Sequence, residues 1–205
     1  MLKPILPALL LCSAIAAGCV TGPRQGQGGR AAGPAVAASD SGVVLTLRNG
    51  TEVWLRQDTT PGERWRSYSG QGFLEPLGAY LIHVAFYEGS ASMLIHYVTG
   101  DTTWLPGAPV LSPSGDRFVA TSVDLIAEYN PNVLQIYRVR PTGFEKEFEL
   151  SPVDWGPSDA RWVAEDTISF MQNVVSESWD YEQRPARVVR ATGRWRVVLQ
   201  RPMNR

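Results

Sequence analysis

Pro113-Ser114-Gly115-Asp116-Arg117-Phe118-Val119-Ala120 recurs without gaps, 44 residues further on, as Pro157-Ser158-Asp159-Ala160-Arg161-Trp162-Val163-Ala164. Pro61-Gly62-Glu63-Arg64-Trp65 is a weaker third copy of its opening. The physical content is a turn set by proline, a residue that tolerates left-handed backbone, then an arginine and an aromatic opening a strand. Around these copies, from Val43 onward, lie short alternating apolar and polar segments with turns at Asn49-Gly50, Thr99-Gly100, Thr142-Gly143 and Thr192-Gly193. Glycine supplies the positive φ of a tight hairpin, and these four are spaced by 50, 43 and 50 residues. A period of about 40–45 residues built from short strands predicts four-stranded blades. The expected fold is therefore an all-β domain over residues 43–205, a small, about four-bladed β-propeller or propeller-like array of antiparallel sheets. A two-sheet β-sandwich is the alternative that the same strand pattern permits.

The longer stretch Leu111-Ser-Pro-Ser-Gly-Asp-Arg-Phe-Val-Ala-Thr-Ser122 resembles the Ser-Pro-Asp-Gly-x-Arg-Ile-Ala-Phe motif of WD40-like β-propeller repeats, as in the periplasmic propeller of the Tol translocation system. Ser114 stands where that motif has aspartate, and Gly156 replaces the leading serine in the second copy. The resemblance extends over roughly residues 60–200 as repeat architecture and implies a propeller; such repeats share no catalytic residues. Trp65 and Trp162, matching Phe118, are expected to pack between blades. Trp54, Trp104 and Trp195, in the strands after glycine turns, are expected in the core or on sheet faces.

Ahead of the domain, Lys3 precedes an apolar stretch from Ile5 to Ala17 that is too short to cross a bilayer as a permanent helix. It ends Ile15-Ala16-Ala17-Gly18-Cys19-Val20, which resembles a bacterial lipobox, with Ala16 where leucine is usual. The resemblance implies a signal peptide over residues 1–18 and lipidation of Cys19, so that the chain reaches the membrane through a lipid anchor. Val20 in place of aspartate implies, by Gram-negative sorting, an outer-membrane location facing the periplasm. An ordinary secretory signal cleaved near Gly18 is the alternative. Residues 19–42 lack large apolar side chains and are expected to form a flexible tether.

With 19 Lys and Arg against 20 Asp and Glu, the 205-residue chain has a formal net charge of −1 and no broad basic field, so nucleic acid is not an expected partner. Lys3 leaves with the signal, and the tether holds Arg24 and Arg30 against Asp40; the folded part is then more acidic than the whole and leans toward a neutral or cationic partner. Two cysteines and two histidines leave little for a metal centre, and no cofactor is expected. There is no Gly-x-Ser-x-Gly elbow, no His-Glu-x-x-His and no phosphate-cradling loop. If Gly89-Ser90 is a two-residue turn, His83 faces His96 across a hairpin whose other face, Ile82, Val84, Phe86, Met93, Ile95 and Tyr97, belongs to the core. With no third ligand nearby except Glu88, such a pair is expected to be two polar residues on the less buried face. Glu145, Glu147 and Glu149 alternate along Phe144–Leu150 as the solvated face of an edge strand would.

The chemistry-bearing residues lie where the repeats lengthen, in Asp124–Asn132 and Val175–Gln183; Tyr68–Glu75 occupies the comparable place in the first copy. Equivalent insertions in a repeat fall on one face of a propeller. Both mix carboxylates, aromatics and amides, a set suited to stacking on a sugar or capturing a basic protein segment. The residues expected to bind are Asp124, Glu128, Tyr129, Asn130, Trp179, Asp180 and Tyr181. The expected function is non-enzymatic binding of an envelope protein or glycan through this loop face. One alternative is a hydrolase or lyase acting on an envelope polymer, which needs two loop carboxylates converging at about 5–10 Å. Another is a subunit of an envelope complex that makes its contact through a blade edge.

Overall fold

The computed structural model describes residues 34–176 and 180–199. Sheet A is formed by β1 (Ala35–Ser39), β2 (Gly42–Thr46) and β3 (Glu52–Arg56). Sheet B is formed by β4 (Arg66–Leu74), β5 (Ala79–Phe86), β6 (Ser90–His96) and β7 (Thr102–Leu105). Sheet C comprises β8 (Val110–Leu111), β9 (Arg117–Ser122), β10 (Val133–Arg140) and β11 (Gly143–Leu150). Sheet D comprises β12 (Gly156–Ala164), β13 (Thr167–Val175), β14 (Tyr181–Ala191) and β15 (Arg194–Leu199). Each sheet is an antiparallel meander of consecutive strands, and a short 3-10 turn at Glu75–Leu77 is the one helical element among the described residues. The protein is all-β, with four small antiparallel sheets whose order and connectivity suit a propeller-like or sandwich fold.

Alternation along the strands explains how the sheets pack. Tyr80, Ile82, Val84, Met93 and Ile95 turn one face of sheet B onto Val43 and Leu45 of sheet A. Ala79 and Leu94 turn the opposite face onto Phe118, Ala120 and Tyr137 of sheet C. The other face of sheet C presents Val119, Leu134 and Ile136 to Ile168, Phe170, Ala186 and Val188 of sheet D. Both inner sheets are thus buried on two faces, which period-2 strands achieve only when both residue sets are apolar.

The glycine turns fall at the last hairpin of every sheet: Asn49-Gly50 between β2 and β3, Thr99-Gly100 between β6 and β7, Thr142-Gly143 between β10 and β11, and Thr192-Gly193 between β14 and β15. The Pro-to-Ala octapeptide behaves otherwise. Arg117-Phe118-Val119 opens the second strand of sheet C, whereas Arg161-Trp162-Val163 lies in the first strand of sheet D. Phe118 and Trp162 nevertheless both pack toward the preceding sheet. Trp195 meets Trp162 edge-to-face at 5.9 Å in the same cluster. Trp65 joins none of the three cores, so the inter-blade position expected for it is not what the fold gives it; Trp54 and Trp104, 54% and 48% exposed, take the sheet-face rather than the core position expected for them.

Two further departures concern register. Sheet A begins at Ala35, inside the stretch expected to be tether, because β1 needs only its backbone to pair with β2 around Asp40-Ser41, with Val36 covering the first core. In β11, an edge strand of sheet C as expected, a bulge opposite Ile136/Tyr137 leaves Glu147 unpaired in the ladder and inverts the side-chain phase along the strand. Phe144 therefore joins the B–C core and Phe148 the C–D core. Glu147, expected in solvent, is only 14% exposed and accepts the Arg117 Nε–H at 2.9 Å and the Trp195 Nε1–H at 3.2 Å. A regular strand would have kept its three glutamates on one wet face.

Candidate functional site

The two insertions occupy equivalent places: residues 123–132 join the second and third strands of sheet C, and residues 176–180 join those of sheet D. In sheet B the corresponding connection is the tight β5–β6 turn, not Tyr68–Glu75, most of which lies in β4. The 123–132 loop is built around Asp124. One carboxylate oxygen accepts the Ala127 N–H at 3.1 Å; the other accepts the Tyr129 and Asn130 N–H groups at 2.9 and 3.1 Å. The Asp124 N–H donates to Asn132 Oδ1 at 2.7 Å, which closes the loop at its base. Burial alone would raise the Asp124 carboxyl, but these backbone donors outweigh it and hold the group below its ordinary value of 3.8. Asp124 is therefore ionised with its lone pairs engaged, an arrangement that shapes a loop and leaves little capacity for proton transfer.

Neighbouring sheets clamp this loop from both sides. Asn130 Oδ1 accepts the Ser90 N–H of β6 at 2.8 Å. Gly89, at φ 82°, leaves the necessary space: a Cβ there would come within 2.7 Å of that same oxygen. On the other side, a Cβ on Gly156 would lie 2.4 Å from Val123 Cγ2 and 2.7 Å from Asn132 Oδ1. These approaches hold the backbone that carries Glu128 (φ 58°) and Tyr129, whose ring is 57% exposed.

The loop forms one wall of an open cleft of about 460 Å³, lined by Asp124, Glu128, Asn130, Asn132, Asp154 and Val175 among others. Val153 stands at its rim, 87% exposed, and Ile126 on the loop is 52% exposed. Four residues expected to bind, Asp124, Glu128, Tyr129 and Asn130, thus share one loop, and three of them line the cleft. Val175, where the second insertion begins, lies on the same cleft. Beyond it, the Asp180 N–H donates to Ser176 Oγ at 3.2 Å and the Ser176 N–H to the Asp180 carbonyl at 2.9 Å. Tyr181 starts β14; its side chain, Trp179 and Cys19 lie outside the described residues. Sequence reasoning did not place Val153 or Asp154 beside this loop. Their signal is slight: a short Pro152-Val-Asp-Trp-Gly156 turn, placed against the loop only because sheets C and D pack face to face.

No protein-family model and no curated protein matches the chain.

The histidines do not form a pair. The β5–β6 reversal falls at Tyr87-Glu88 rather than Gly89-Ser90, so Ser92 stands opposite His83 and Ala79 opposite His96. That slip is an even number of residues, so the core face stays as expected while the histidines separate along the strands. His83 is exposed; His96 is buried, with Nδ1 at 3.1 Å from Thr99 Oγ1 and its ring edge-to-face with Phe144. Burial lowers the His96 pKa against the opposing pull of Asp101. Among the described residues, no three His, Cys, Asp or Glu side chains gather where they could hold a metal ion.

Proposed function

We propose that this chain is a non-enzymatic, lipid-anchored binding protein of the cell envelope, and that it captures a protein segment bearing basic and apolar side chains in the cleft beside Asp124. The observation that carries the reading is the composition of that cleft. Glu128 and Asp154 line it and supply negative charge, Val153 supplies an apolar rim from the β11–β12 connection, and Ile126 and Tyr129 add exposed apolar area on the adjoining loop, which Asp124 and Asn130 hold rigid. A preorganised loop loses little entropy on binding, and an exposed aromatic beside carboxylates suits an anchor contact with a cationic rim. A glycan is the weaker choice of ligand, because Tyr129 is the one aromatic ring described on this loop. The anchor on Cys19 and the envelope location rest on the lipobox-like Ala17-Gly18-Cys19.

The test is crosslinking in intact cells followed by recovery of bound partners, comparing wild type with a Tyr129→Ala/Trp179→Ala chain and with Cys19→Ser. The double variant should lose the partner at unchanged abundance, and Cys19→Ser should leave the membrane fraction. Undiminished recovery by a folded double variant refutes the site.

A further inference from the structure

Sheet D packs on sheet C through one face only, and its opposite face carries a different chemistry. Ile168, Phe170, Ala186 and Val188 point into the C–D core, so alternation turns Ser169, Met171, Arg187 and Val189 outward. Register then assembles the outward rows. Ser169 stands between Arg161 on β12 and Arg187 on β14, and Arg187 faces Val198 on β15. In the next row Val189 faces Arg196, which puts Arg196 diagonal to Arg187, roughly 7–8 Å away between backbones. Arg161 and Arg187 are two strands apart, about 10 Å. All three arginines are exposed, and among the described residues none has a carboxylate within ion-pair distance, in contrast to Arg117, Arg138, Arg140 and Arg184. Arg161 Nε–H donates to Ser169 Oγ at 3.1 Å, which orients the guanidinium and leaves its terminal N–H groups to a ligand.

A cleft of about 260 Å³ opens over this row, lined by Arg161, Ser169, Arg187, Met171 and Pro185, with Asp159 as its one carboxylate. We infer that the outer face of sheet D is a docking surface for an anionic phospholipid bilayer, with headgroup phosphates seated on the Arg161–Ser169–Arg187 row. Guanidinium pairs match phosphate oxygens in geometry and charge. The side chains between the arginines, Met171, Pro185, Val189 and Val198, are apolar and suit the headgroup boundary. The rows from Met171–Pro185 to Ala191–Arg194 present no aromatic, since Trp162, Phe170 and Trp195 turn into the core, so a sugar polymer finds no stacking platform here. This surface is separate from the acidic cleft and does not depend on the function proposed for it.

The test is co-sedimentation of the full-length chain carrying Cys19→Ser with phosphatidylglycerol-containing vesicles and with purely phosphatidylcholine vesicles, so that acylation contributes nothing and the hydrophobic N-terminal stretch contributes equally to every variant. Arginine near an anionic surface strengthens binding about fivefold, so Arg161→Ser/Arg187→Ser/Arg196→Ser should weaken binding to the anionic vesicles about a hundredfold. The corresponding triple lysine variant should retain most of it, and salt should abolish the preference. If the serine variant unfolds, Arg196→Ser alone, on the edge strand, should show its fivefold loss. Equal sedimentation of wild type and folded variants, equal binding to neutral vesicles, or stronger binding to dextran sulfate or free phosphate than to the vesicles overturns the inference.

Discussion

Removing the Asp124 carboxylate should release the 123–132 loop while leaving the sheets folded. In Asp124→Ala, the Ala127, Tyr129 and Asn130 N–H groups lose their acceptor. Because the loop is partly solvated, each bond is discounted below the range for a charged acceptor, to about 1 kcal/mol, or about 3 kcal/mol together. Local opening should then become about a hundredfold more frequent, read as faster amide hydrogen exchange at these three positions. Asp124→Asn keeps an acceptor oxygen but loses the charge, and should raise opening by about tenfold. The carboxyl is held below 3.8, so the loop stays closed as pH falls to that value and opens only below it. Strand amides such as those of Val119 and Ile136 should keep their protection. Wild-type exchange at Tyr129 and Asn130 in Asp124→Ala would refute the reasoning, since the loop would then be held by something other than this carboxylate.

The other expectations concern the polar lock between sheets C and D. Arg117 is 5% exposed and is the nearest cation to Glu147, so Arg117→Ala leaves that largely buried carboxylate with only Arg138 at 3.6 Å and the Trp195 N–H of the facing sheet; a loss of about 3 kcal/mol in urea unfolding is expected, with Arg117→Met/Glu147→Leu recovering most of it. A loss in the double variant as large as in the single would contradict this. Burial would raise the Glu147 carboxyl, but the Arg117 and Trp195 hydrogen bonds and nearby charges bring it below 4.5; its stabilisation is complete above that pH and lost as pH falls through the lower folded value. His96, lowered from 6.5 by burial, adds a decline below pH 6.5 that His96→Gln should remove; a urea midpoint that rises on acidification from pH 7 to 4 would count against both.

Much of this architecture is written locally. The glycine turns mark the last hairpin of every sheet, and alternation along Tyr80–Phe86 and Ser92–Val98 names the face that meets sheet A even though the turn itself lies elsewhere. Moving the turn by two residues slips the pairing by four, which preserves parity, so the core face survives while the His83/His96 alignment does not. The 123–132 loop was legible for a related reason: an insertion between strands 2 and 3 recurs in two sheets, and its composition is independent of how it folds.

What sequence alone determined about this protein is therefore periodic: an all-β chain, where the last hairpin of each sheet turns, which residues alternate inward, and where the two insertions recur. Tertiary structure decided what depends on a partner distant in sequence. The bulge that turns Glu147 onto Arg117, the placing of Val153 and Asp154 beside the 123–132 loop, the engagement of Asp124 by its own loop, and the gathering of Arg161, Arg187 and Arg196 on one face all require strands to be in register. Periodicity is a property of neighbours along the chain. A bulge, a cleft or a charged face is set by which strand lies alongside, and that is fixed only when the cores between the sheets close.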